Sequence, residues 1–95
     1  MTKNDYYLKE LYQLLASAES EKELELLLDD LLTPKEREEI AERWQVIQEL
    51  YAGETHRGIA KKLNISISKV TRGANQIKKS KGGFLFFLKS LGKLN

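Results

Sequence analysis

The chain contains no cysteine and only one histidine. The first absence excludes disulfides, thiolate nucleophiles and thiolate-bound metals together. The second leaves His56 without imidazole partners, so no metal site is expected. No apolar run approaches the roughly eighteen residues that a membrane-crossing helix needs. The N-terminal MTKNDYYLKEL mixes acids and bases and has no apolar core ahead of a small-residue cleavage site. These absences predict a cytoplasmic protein with no membrane partner. Strand signals are also almost missing, because apolar residues recur at helical spacing nearly everywhere.

The most informative absence is that of acid from the C-terminal part. All 14 Asp and Glu lie at or before Glu54, together with 6 Lys and Arg, which gives that half a formal charge of −8. From Thr55 to Asn95 there are 10 Lys and Arg and no acid, a formal charge of +10. A basic segment of this kind is the electrostatic footprint of a polyanion partner, nucleic acid before others. With 95 residues, 41% apolar and 32% charged, the sequence reads as one small folded domain, residues 1–95, that dimerisation would help to stabilise.

Helix boundaries are written in capping chemistry. Tyr7, Leu8, Leu11, Tyr12, Leu14 and Leu15 predict an amphipathic helix over residues 5–17. In SEKELELLLDDLL, Ser20 and Glu23 form a capping-box pattern ahead of the stripe Leu24, Leu27, Leu28 and Leu31. Thr33 as N-cap, Pro34 at the first helical position and Glu36 as box partner open a long helix, residues 34–51. Ile40, Trp44, Ile47 and Tyr51 form its apolar stripe, and Gly53 ends it.

Beyond Gly53 the elements shorten. Thr55 caps HRGIAKKL, Asn64 supplies the positive φ of a tight turn, and Ser66 caps ISKVTRGANQIKK. Ile59, Ala60, Leu63, Ile65 and Val70 have the apolar spacing of a helix-turn-helix over about residues 55–78. Ile65, Ile67 and Val70 are expected to anchor the second helix. Its hydroxyls, Lys69 and Asn75 are then free to face a groove.

LLTPKEREEIAERWQVIQELYAGET followed by ISKVTRGANQIKK resembles the tryptophan repressor family in its LTPxERE, G-E and TRG-N motifs, over about residues 31–79. The resemblance implies an all-α, intertwined homodimer of about six helices per chain, the sixth being FLFFLKSLGKL. It further implies a bacterial transcriptional repressor that binds double-stranded operator DNA with L-tryptophan as co-repressor, acting on genes of tryptophan biosynthesis or transport. It assigns Arg43 and Arg72 to the two sides of the ligand's indole, Arg72 also to its carboxylate, and Gly73 to the room beside the ring. The ligand's ammonium would meet carbonyls around Asp30, Leu32 and Thr33 of the other subunit, and Gln76 also falls at the ligand. Implied DNA contacts are Arg57, Ile67, Ser68, Thr71, Asn75 and Lys78, with Ser66 and Lys69 beside them. Lys69 and Gln76 stand where smaller residues are familiar in the family.

Other readings remain open at this level. One is a helix-turn-helix regulator with a different ligand, such as an indole relative, or none. Another is a membrane-surface protein, since KKSKGGFLFFLKSLGKLN places lysines around a Phe-rich segment. In a dimer core, by contrast, Phe84, Leu85, Phe87, Leu88 and Leu91 would cover apolar surface, with Gly82 and Gly83 as hinge. Catalysis is not expected: Ser66 and Lys69 make a literal S-x-x-K, but its partner motifs are missing.

Overall fold

A computed structural model describes residues 2–94. Six helices follow one another: α1 (Lys3–Ala16), α2 (Glu21–Leu31), α3 (Pro34–Tyr51), α4 (His56–Leu63), α5 (Ile67–Lys79) and α6 (Gly83–Ser90). No strand occurs among the described residues, so the all-α class holds. The chain groups into two compact units, one ending at Arg37 and one starting at Glu38.

In the first unit α1 starts two residues earlier than its apolar pattern predicts. Thr2 and Asp5 form a capping box: the Asp5 N–H donates to Thr2 Oγ1 at 3.1 Å, and the Thr2 N–H donates to Asp5 Oδ2 at 3.0 Å. Ser20 caps α2 through the Glu23 N–H at 3.1 Å, while the Glu23 carboxylate reaches past it to the Glu19 N–H at 2.9 Å. Thr33 and Glu36 make the expected reciprocal box at the start of α3, at 2.9 and 3.1 Å. The Thr33 backbone N–H, and then its hydroxyl, hold the Glu36 carboxyl below its ordinary pKa. No residue of α1 or α2 is fully buried.

The end of α2 is closed by a side chain. Arg37 Nη1 donates to the carbonyls of Asp29 at 3.2 Å and Leu32 at 2.9 Å, and its Nε lies 3.4 Å from Asp29 Oδ1. A guanidinium there satisfies carbonyls the helix leaves open and suits the negative end of its dipole.

The second unit holds the core. Val46, Ile59, Ala60 and Val70 form one buried cluster, with Leu50, Leu63 and Ile65 packed against it; Ile47 and Leu88 are also buried. Of the stripe expected on α3, only Ile47 is fully buried. Trp44 and Tyr51 are half-buried, and Ile40 is 53% exposed.

Three helices here end in the same hydrogen-bond pair around a left-handed residue. After α3 it is Gly53, with the Glu54 N–H on the Glu49 carbonyl; after α4 it is Asn64, with the Ile65 N–H on the Ala60 carbonyl. After α6 it is Gly92, with the Lys93 N–H on the Leu88 carbonyl. The last of these stops α6 at Ser90 instead of continuing toward residue 94, because Gly92 takes φ +68° and turns the chain back.

Candidate nucleic-acid interface and ligand cavity

The helix-turn-helix is assembled by short-range chemistry. Thr55 Oγ1 accepts the Gly58 N–H at 3.0 Å and starts α4; Ser66 Oγ accepts the Lys69 N–H at 3.2 Å and starts α5. Between them Asn64 sits at φ 55°, ψ 51°, and the reversal brings the Ile65 N–H to the Ala60 carbonyl at 3.0 Å and packs Ile65 against the buried cluster that includes Ala60. That apolar contact after the left-handed residue holds the turn.

On α5, Val70, Gly73, Ala74 and Ile77 fall at i, i+3, i+4 and i+7, and all are buried or half-buried. Ser68, Thr71, Arg72, Asn75, Lys78 and Lys79 occupy the opposite arc and are exposed. A short helix thus carries an apolar stripe for the core and a polar, cationic stripe for solvent. The exposed Arg57 lies in the first turn of α4. Ile67, expected as an anchor, is 49% exposed: it is the first residue of α5, ahead of the turn that packs, and the anchoring falls to Ile65 and Val70.

Lys69 does not share the free arc. Its Nζ donates to Glu42 Oε1 at 2.8 Å, joining α5 to α3. That hydrogen bond, with the charges of Glu42, Glu38 and Glu39 behind it, raises the ammonium pKa. A lysine expected to face DNA is directed back onto an acidic patch of its own chain.

The same ion pair borders a cavity. Arg43, Arg72, Val46, Ile65, Lys69, Glu42 and Glu39 line a space of about 50 Å³. Both expected ligand arginines are therefore at one site. Gly73 and Gln76 do not line it. A Cβ on Gly73 would stand 2.6 Å from Val46 Cγ1, so what the glycine makes room for in this chain is the α3 side chain. Gln76 borders a much larger open groove of about 700 Å³, with Trp44, Lys79, Lys81, Phe84, Phe87 and Leu91 around it. In the first unit Asp30 and Thr33 are exposed and Leu32 is half-buried. The Leu32 carbonyl, expected for a ligand's ammonium, already accepts from Arg37.

A capped two-helix unit with a buried apolar seam and a solvent-facing cationic stripe is a helix-turn-helix of the DNA-binding class. Residues 6–92 match the family described as Trp repressor protein. A Trp operon repressor homolog of Chlamydia trachomatis serovar L2 is 40% identical over 76 residues, 79% of this chain and 81% of that protein. Homologs of the same description from Vibrio campbellii and Vibrio cholerae are each 35% identical over 71 residues, 74% of this chain and 71% and 69% of theirs. The chain belongs to the tryptophan repressor family. It is accordingly a DNA-binding transcriptional repressor by family, and that family is one of regulators, not enzymes. No described helix is long and apolar enough to cross a membrane.

Proposed function

We propose that the protein is a cytoplasmic, homodimeric repressor that binds a near-palindromic operator with α5 in the major groove, and that L-tryptophan strengthens this binding from the cavity between Arg43 and Arg72. The genes it controls would be those of tryptophan biosynthesis or transport. The observation that carries the reading is the juxtaposition of two exposed arginines around one cavity, directly beside the DNA-facing arc of α5. Guanidinium planes stack on aromatic rings and pair in a fork with a carboxylate, so together they suit an aromatic amino acid. A ligand wedged there would bias the tilt of α5 and so act by differential binding, without touching bases.

Dimerisation is supported by the apolar surface a single chain leaves bare. Tyr6, Tyr7, Leu8, Tyr12, Phe86 and Phe87 are exposed, and the 700 Å³ groove is walled by Trp44, Phe84 and Phe87. Lys79 and Lys81 rim that groove, and the acidic N-terminal half of a second copy offers the complementary charge.

Selection of duplexes from a random pool, with and without millimolar L-tryptophan, should enrich a palindrome in both arms and more strongly with ligand. Calorimetry with L-tryptophan, indole-3-propionate and L-phenylalanine then separates the parts. No heat and no change in DNA affinity would remove the co-repressor and leave the DNA-binding reading standing. Sedimentation should give about twice the 10.9 kDa chain mass, and a compact monomer at micromolar concentration would overturn the dimer.

A further inference from the structure

Among the described residues, the ammonium of Lys69 and the carboxylate of Glu42 are the one ion pair that joins α3 to α5, and both residues line the cavity that Arg43 and Arg72 flank. With the pair closed, about 50 Å³ remains, enough for one or two water molecules and too little for an indole. We infer that Lys69 and Glu42 form a gate on this cavity, and that the two together decide which ligands enter it. The inference rests on the co-repressor reading of the same site.

The chemistry of opening is an exchange of partners. A zwitterionic amino acid entering between the arginines presents one carboxylate and one ammonium. The carboxylate takes over the Lys69 ammonium, and Glu42, with Glu39 beside it on the cavity wall, receives the ligand's cation. Every charge that the opened gate exposes is answered by a charge on the ligand. A ligand with a carboxylate but no amine answers only Lys69 and leaves Glu42 without a partner at the cavity wall, which is unfavourable. The gate therefore favours amino acids over deaminated indoles. It also lowers affinity for both, because the pair must break first. The lysine side chain is 44% exposed, so it has room to swing outward when the pair parts.

The test is calorimetric titration of the full-length protein with L-tryptophan and indole-3-propionate, comparing wild type with Lys69→Ala, Glu42→Gln and the charge-swapped pair Lys69→Glu/Glu42→Lys. Helix content by circular dichroism controls for folding. Lys69→Ala should bind L-tryptophan more tightly, by up to about fivefold from the exposed ion pair that no longer has to break. It should leave the preference for the amino acid over indole-3-propionate largely in place, because Glu42 and Glu39 still receive the ligand's cation. Glu42→Gln removes the main acceptor of the ligand's cation, so it should be the variant that narrows that preference, a change in selectivity that a merely structural role would not produce. The charge swap, which keeps one group of each sign at the cavity wall, should return both quantities toward wild type. Equal affinities in wild type and Lys69→Ala would overturn the gate while the co-repressor reading stood. Binding by Lys69→Ala with none by wild type would establish the gate and remove L-tryptophan as the natural ligand. No binding by any variant would overturn both.

Discussion

Replacing Gly73 by alanine sets two well-measured effects against each other. In an unconstrained helix the change stabilises by roughly 0.5–1 kcal/mol, because glycine loses more backbone freedom on folding. Here the new Cβ would stand 2.6 Å from Val46 Cγ1, 3.5 Å from Val46 Cβ and 3.8 Å from Leu50 Cδ1. The first approach is about 1 Å inside an ordinary carbon–carbon contact. Val46 is 1% exposed and β-branched on a helix, so its rotamer has little freedom and nothing beside it can yield to solvent. Overpacking of this kind costs about 1–3 kcal/mol, and because the buried, β-branched Val46 cannot yield, its upper part applies and the net loss after propensity is up to about 2.5 kcal/mol. That corresponds to a fall in Tm of several degrees, at about 4–8 °C per kcal/mol for a chain of this size. Urea unfolding should be run at one fixed protein concentration, because association shifts apparent stability. Val46→Ala alone should also destabilise, yet the double variant should be better than additive by about 1 kcal/mol, since each change relieves the other. A Gly73→Ala protein more stable than wild type, or strictly additive variants, would refute the claim that α3 is what requires this glycine.

Three further outcomes follow from the same structure. Lys78→Ala should weaken binding to every duplex and reduce the salt slope by about one unit, whereas Arg57→Ala should cost about 1–3 kcal/mol at a single base pair; anisotropy titrations over a salt series distinguish the two. Asn64→Ala should lose about 1 kcal/mol or more in thermal unfolding, because a Cβ-bearing residue without a polar tip is strained at φ 55°, and Asn64→Gly should be neutral or better. The Glu36 carboxyl titrates below its ordinary 4.5, so the stability it gives is present above that pH and lost as pH falls through the lowered value; Thr33→Ala should return the NMR-observed Glu36 titration toward 4.5.

What could be read from the sequence was chemistry that acts over a few residues. Thr33 with Glu36, Thr55, Ser66, Gly53 and Asn64 each set a boundary within one turn of themselves, and those boundaries stand where their spacing puts them. Two local signals lie outside the apolar pattern: the Thr2 and Asp5 box that starts α1, and Gly92, whose left-handed turn ends α6. The candidate site was less legible because it is non-local. Gly73 in a helix announces a close approach, but nothing in the pattern names Val46, 27 positions away, as what approaches. Lys69 and Glu42 are likewise 27 residues apart, and a lysine among hydroxyls on a basic helix has the composition of a DNA contact whichever way it turns. Arg37 is a third case: its charge is plain in the sequence, but its choice of the Asp29 and Leu32 carbonyls depends on how the chain folds back after α2.

Six apolar side chains are buried among the described residues, and thirteen large ones stand open, from Tyr6 on α1 to Leu91 after α6. For a protein that completes its core with a second copy, abundance becomes part of the folding equilibrium: each tenfold dilution of the chain removes about 1.4 kcal/mol from the assembled state. The number of chains a cell holds then acts as a thermodynamic variable, on the same footing as temperature or salt. If the proposed dimer forms, then below some copy number the chain exposes those tyrosines and phenylalanines to proteases and chaperones instead of to its twin. Repression would then have a threshold in gene dosage, set by bare aromatic surface.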